Sequence, residues 1–373
     1  MHVALLPRAD HEGATGGIAR WQFAASCGNP FAERFLVERA AAELAAPGEH
    51  IHLLNTDPTA WNALLPLKRL SRTPAGSIWS VWSHVHALDT TPAEADQPEH
   101  LLEKLFDFLQ GENAVMLRWA TLAGDTPFYD ALADWLRSKD LEFRVTKQVS
   151  RPVLAADAAF GAERLRARLH GKRLREFGRM RRRLSELGEL TLSVHDGRHD
   201  ADEWLGDFTA IEASGWKGEK GTAIGCNPHE RAWFGAVARR AALEGRMLVY
   251  ALELDGKPIA MTVNFRSGAR IWCFKTAYRG DLCRYGPGAL LEYEATLAAL
   301  VDPTIEWLDA CTADDSGLMG LLWEDRRPVV DMLISTRPRF NPAVRSAAMG
   351  WRAYLAGKRR VAALRNRKGA RKS

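Results

Sequence analysis

The chain has 373 residues, 46% of them hydrophobic, which is enough for two cores of ordinary size and excludes a disordered or fibrous protein. Its net charge of +5 hides an imbalance: eight lysines and arginines and no acid fall within residues 358–372, so the rest sums to −3 (+5 less +8). There is no apolar run long enough for a membrane span and no secretory-type apolar core at the start, and Cys27, Cys226, Cys273, Cys283 and Cys311 form no C-x-x-C pair; together these predict a cytoplasmic protein with reduced thiols and no thiolate zinc site.

In chain order, a helical pattern follows Asn29-Pro30-Phe31 and stops at Pro47-Gly48. Short strands are predicted at 51–54 and 64–67, alternation through Trp79, Val81 and His84, and a polar loop over 89–99. Leu101, Leu102, Leu105, Phe106 and Leu109 mark an amphipathic helix. A strand at 114–119, a helix at 128–136 and a strand at 143–149 follow. Residues 162–187 read as a long basic helix, breakable at Gly171, with an apolar seam of Leu174, Phe177, Met180, Leu184 and Leu187. Its arginines suit either a solvated connecting helix or an anionic partner, whether phosphate, tRNA or lipid, although it lacks interleaved aromatics for stacking bases. The basic run at 358–372 has the same two readings.

The second half is more regular. A strand at 190–194 and helices at 201–213 and 228–243 lead into three strands at 247–254, 258–265 and 270–277. The turns between these strands are Asp255-Gly256 and Ser267-Gly268, so they form an antiparallel meander. The third strand enters a loop ending Arg284-Tyr285-Gly286-Pro287-Gly288, and a helix runs on from Ala289. Two glycines allow close backbone approach, and the helix N-terminus beyond them favours an anion, as a pyrophosphate cradle requires. A strand at 304–310, a short helix at 316–323 and a strand at 328–334 complete the order.

This succession resembles the acetyl-CoA-dependent acyltransferases of the GNAT superfamily, whose loop reads Gln/Arg-x-x-Gly-x-Gly/Ala. Gly286 and Gly288 match it, whereas Cys283 stands in the Gln/Arg place and Arg284 lies one residue later. Four local stretches, at 212–218, 254–260, 274–278 and 284–288, look like the CelD/BcsL-type acetyltransferases, as does the basic segment 172–188. Those proteins are linked to exopolysaccharide synthesis and resemble the Fem peptidyltransferases in carrying two GNAT-like halves. The resemblance implies an α/β (α+β) protein of two such halves, each a mixed, mostly antiparallel sheet flanked by helices and joined by a long basic helix. The divisions it implies are a degenerate N-terminal half at 1–155, the connecting helix at 156–189, the acyltransferase domain at 190–340 and a helical, basic tail at 341–373.

Acetyl-CoA, as co-substrate, would then lie with its pyrophosphate on the backbone of Tyr285, Gly286, Gly288 and Ala289, with Arg279 or Arg284 as charge partners. Acyl transfer needs a base for the acceptor's proton and an acid for the departing thiolate. Tyr278 and Tyr285 are the nearby phenols, and either is equally a packed aromatic. Glu212 and Asp309 are the carboxylates placed to enter the cleft, or else a helix-surface acid and a strand-end cap. Lys275 on a central strand favours a site role, and Trp216 and Lys217 would shape the acceptor side. The acceptor implied is a small molecule or glycan precursor. No histidines are spaced as a metal-ligand pair, so no metal is expected. Three alternatives stay open. One is a Fem-like transferase using charged tRNA, another a non-catalytic binding relative, and the third a nicotinamide oxidoreductase with Asp309 on a ribose.

Overall fold

The computed structural model describes residues 2–6, 28–55, 64–92, 98–157, 161–312, 317–351 and 353–354. Cys27, most of the N-terminal stretch without a signal-like core, and the basic run at 358–372 lie outside the described residues. The first elements are β1 (His2–Leu6), α1 (Arg34–Leu44), β2 (Ile51–Asn55), β3 (Leu64–Thr73) and β4 (Gly76–Val81). Next come α2 (Pro98–Gly111), β5 (Ala114–Ala123), α3 (Pro127–Ser138) and β6 (Phe143–Ala155). They are followed by α4 (Gly161–Arg168), α5 (Gly171–Ser185), β7 (Leu190–His195), α6 (Ala201–Ala213), the single turn α7 (Trp216–Glu219) and α8 (Pro228–Leu243). The last are β8 (Met247–Leu254), β9 (Lys257–Ser267), β10 (Arg270–Tyr278), α9 (Pro287–Val301), β11 (Trp307–Asp309), α10 (Leu318–Leu322) and β12 (Asp325–Ser335). The fold is mixed α/β, with a mostly antiparallel sheet flanked by helices.

The chain divides into two compact units, and it passes between them within β6 and again within β12. One holds residues 1–5, 50–149 and 328–373. Its strands β2, β3 and β4 are antiparallel, β4 runs parallel to β5, and β12 lies antiparallel to β5. The apolar stripe of α2 (Leu101, Leu105, Phe106 and Leu109) packs with Trp79, Trp119 and Leu132 in its core. Pro66 sits inside β3. Three local expectations shift here. β4 ends at Val81, leaving His84 outside the strand; α2 starts at Pro98, inside the predicted loop; and Asp89 and Thr91 of that loop are buried.

The other unit holds residues 6–49 and 150–327, with strands in the order β6-β11-β10-β9-β8-β7. Asp255 (φ 52°) and Gly256 (φ 74°) are both left-handed, the turn whose twist suits the β8–β9 hairpin. β6 runs beyond residue 149 because Val153–Ala155 pair with β11. α4, α5 and α9 cover one face through Leu165, Phe177, Leu184, Leu290 and Leu291. Phe31, Phe208, Phe234, Phe265 and Phe274 make a chain of ring contacts from α6 and α8 to the opposite face. The basic segment is two helices, since the chain breaks at residues 169–170 before α5 begins at Gly171.

Candidate active site

β10 has a parallel neighbour for only part of its length. Arg270, Ile271 and Trp272 pair with Trp307, Leu308 and Asp309, where β11 ends while β10 continues to Tyr278. On its other side β10 stays paired with β9, with a register shift between Cys273 and Lys275. A bulge of this kind breaks the strict alternation of side chains. Phe274 packs on Phe234 and Phe265, and Lys275, next along the chain, reaches Glu212 of α6. Thr276 then meets Glu292 of α9, from the other face.

Where β11 is missing, side chains from both faces of the sheet line one cavity of about 250 Å³. Glu212, Lys217, Thr276, Tyr278, Gly288, Ala289 and Glu292 are among its walls. Glu212 is 2% exposed and fully engaged. Its Oε1 accepts from Lys217 Nζ at 3.3 Å and from Lys275 Nζ at 3.0 Å, and its Oε2 accepts from the Ile224 N–H at 2.8 Å. Lys217 also donates to the Thr276 carbonyl at 2.8 Å, on the strand that has lost its parallel neighbour. Burial lowers the Lys217 pKa, opposed chiefly by Glu212, whereas burial raises that of Glu292 against the Thr276 hydroxyl and Lys217. Two carboxyl groups in one cavity thus have different partners, two ammonium groups for Glu212 and one hydroxyl for Glu292.

The glycine loop closes on the same cavity. Gly286 is left-handed (φ 71°), which glycine adopts at least cost, and Pro287 opens α9. The N–H groups of Gly288 and Ala289 fall in the first turn, where no intrahelical acceptor exists. A Cβ on Gly288 would come within 2.7 Å of the Tyr278 ring. Tyr285 is flanked by the Arg183 and Arg284 guanidiniums, each 4.8 Å from its centroid.

Residues 171–316 match the family model described as "Acetyltransferase (GNAT) domain". This stretch is a GNAT acetyltransferase domain. The chain is therefore an acyltransferase, and its GNAT domain contains β10, the glycine loop and α9. No curated protein matches the sequence. Among solved structures, the C-terminal DUF2156 domain of a "Putative Lysylphosphatidylglycerol Synthetase" from Agrobacterium fabrum has TM-score 0.51 at 13% identity, over 85% of this chain and 88% of that one. FemX has TM-score 0.50 at 11% identity, over 84% of this chain and 94% of that one. At such identity both are likenesses of fold alone.

The GNAT domain brings Glu212, Lys217, Lys275, Tyr278, Gly288 and Ala289 together around the cavity, with Trp216 on its rim at 47% exposure under Lys220. Asp309 does not line it. That carboxylate is 0% exposed, bonded to Arg327 (3.0 Å), near Arg151 (3.6 Å), and accepting from the Cys311 N–H (2.6 Å). Arg279 is held on the surface by Asp281 at 2.6 Å. Sequence reasoning missed Thr276 and Glu292. Glu292 was findable as the first acid of α9, one turn after Gly288, although Glu294 follows it two residues later.

Acyl-CoA is the co-substrate typical of GNAT domains, and the residues present fit one. The absence of a Cβ at Gly288 lets the Tyr278 ring pack against the first turn of α9, that turn favours an anion, and the Arg183 and Arg284 guanidiniums lie beside the loop, over the Tyr285 ring. No group of His, Cys, Asp and Glu able to hold a metal ion occurs among the described residues.

Proposed function

We propose that the GNAT domain transfers an acyl group, acetyl in the simplest case, from acyl-CoA to an amine or hydroxyl acceptor. The observation that carries this reading is the end of β11 beside Trp272, which opens a cavity between β10 and the first turn of α9. Acyl-CoA supplies an activated thioester carbonyl. The phosphates meet the Tyr285–Ala289 backbone, with Arg183 and Arg284 beside them. The edge of β10 beyond Trp272 offers backbone groups to the amide-bearing arm.

Glu292 takes the proton from the attacking group, since it lines the cavity and burial makes its carboxylate a stronger base than usual. Glu212 is a positioning residue, because both its oxygens are occupied in holding Lys217, Lys275 and the Ile224 N–H. The two ammonium groups put positive charge where negative charge develops on the thioester oxygen. Tyr278 is the phenol at the cavity for the departing thiolate. Asp309 holds the end of β11 through Arg327.

The resemblance to CelD/BcsL-type enzymes supports a sugar or amino-acid precursor of a surface polymer as acceptor. It also supports two GNAT-like halves, of which the N-terminal one is degenerate. The parallel pair β4–β5 matches β10–β11 in topology, but α2 opens with Glu99 in its first turn, where an acid opposes anion binding. A second reading, aminoacyl transfer from charged tRNA, is favoured by the exposed Lys172, Arg175, Arg179, Arg181 and Arg182 of α5.

Calorimetric titration with acetyl-CoA and with NADH tests the proposal on wild type and on Ala289→Trp. Saturable acetyl-CoA binding, lost in a variant with unchanged circular dichroism, is the expected result. Folded wild type that binds no acetyl-CoA would overturn the reading; NADH binding would restore the oxidoreductase. Turnover dependent on aminoacyl-tRNA would establish the second reading instead.

A further inference from the structure

A second cavity, of about 680 Å³, lies in the unit that contains β12, and none of its walls belongs to the GNAT domain. Its volume is that of a small-molecule site, about 300–1,000 Å³. One wall is a stripe of α2 spaced three and four apart, Glu103, Phe106, Asp107 and Gln110. The end of α3 supplies Trp135 and Lys139, and the turn after β12 supplies Arg337 and Arg339. Phe106 is buried and touches Trp135, their ring centroids 4.5 Å apart, which gives the cavity an aromatic surface.

The charges sort by element. Both acids come from α2, and all three cations come from α3 or the turn after β12. Arg337 is spent within the protein. Its Nη2 donates to the Gln110 carbonyl at 2.9 Å, at the C-terminal end of α2, where carbonyls favour a cation. Lys139 lies over the Trp135 ring at 5.7 Å and Arg339 over the Phe340 ring at 4.7 Å. Among the described residues, Glu103, Asp107, Lys139 and Arg339 form no ion pair, although all four line one cavity. Each is exposed, so each can turn to a ligand without abandoning a carboxylate or ammonium partner. Two acids and two cations from separate elements complement a molecule that carries one charge of each sign at its two ends.

We infer that this cavity binds a short linear zwitterion, an ammonium–carboxylate molecule with an apolar side chain, such as a dipeptide. Its ammonium meets Glu103 and Asp107, its carboxylate meets Arg339 and Lys139, and its side chain packs on Trp135. Calorimetric titration of the full chain with phenylalanyl-leucine tests this, beside the Nα-acetylated and C-amidated forms of the same dipeptide. Saturable binding of the free dipeptide is expected. Either cap should weaken it by about tenfold or more, since each removes one charged contact. Asp107→Asn and Arg339→Gln should each weaken it by a similar factor with the thermal transition in place, because both side chains are exposed. Ala289→Trp should leave the dipeptide affinity unchanged, because Ala289 lines the other cavity. Absence of saturable binding would overturn the inference. So would capped dipeptides that bind as well as the free one, or an affinity indifferent to both charge substitutions. Loss of binding in Ala289→Trp would overturn it too, by assigning the dipeptide to the GNAT cavity.

Discussion

Glu212 is the residue on which the cavity's charge depends. It is a buried carboxylate facing two ammonium groups, and neither lysine is fully buried, so its removal leaves two half-buried cations without their counter-ion. Breaking a buried ion pair costs about 3–5 kcal/mol. Glu212→Ala should therefore lower the unfolding free energy by about that amount in urea titrations. Adding Lys275→Met should restore part of it, because the double variant carries one uncompensated charge fewer. Glu292 behaves oppositely. Burial raises its folded pKa above the unfolded value of 4.5. The stability it contributes is full below that value and is lost as pH rises through the folded pKa. Glu292→Gln should thus gain stability relative to wild type as pH increases, read from melting temperatures across a pH series. As proton acceptor in the proposed mechanism, Glu292 must be ionised. The variant should lose the rising acidic limb of kcat/KM and about 10²–10⁴-fold in rate, while acetyl-CoA affinity is retained. Unchanged acetyl-CoA affinity with an unchanged pH profile would remove Glu292 from the mechanism.

Elements determine which residues meet. The three-strand meander and the helix after the glycine loop were legible because their signals are local: Asp255-Gly256 for the hairpin, and Gly286-Pro287 for the left-handed residue that opens α9. Lys275 and Glu212 were legible as chemically unusual residues, but their contact was not, because it depends on the bulge in β10. Asp309 illustrates the converse. At a strand end it reads as a site carboxylate, and only Arg151 and Arg327, far apart in sequence, show what holds it. The turn carrying Trp216 and Lys217 has its own requirement. A Cβ at Gly218 would fall 1.9 Å from the Ala213 carbonyl oxygen, the backbone end of α6. Gly218→Ala must push α7 away from α6 and move Lys217 off Glu212. The expected cost is about 1–3 kcal/mol, as for overpacking elsewhere, with a matching fall in melting temperature.

At the scale of the molecule, each unit repeats one topological idea. An antiparallel run ends in a strand with a parallel neighbour, and that neighbour is flanked by a strand from elsewhere in the chain: β12 beside β5, and β6 beside β11. The unit with the GNAT domain also takes in α1, which packs on α8, and Glu33, which pairs with Arg246 at the start of the meander. A fragment confined to residues 161–327 lacks α1, Glu33, Arg151 and the strand that pairs with β11. It would leave Arg246 without Glu33, uncover α8, and expose the edge of β11 that β6 covers to water. Deletions of this kind remove a buried ion pair and apolar cover together, against a total stability of only about 5–15 kcal/mol for a domain. The fragment should show no cooperative thermal transition and weak near-ultraviolet dichroism, where the full chain shows both. Co-expression with residues 28–49 should not restore them, because β11 still lacks its antiparallel partner. A sharp transition in the fragment alone would mean that α9 and the meander suffice, and that the strand and helix drawn from elsewhere are dispensable for the fold around the cavity.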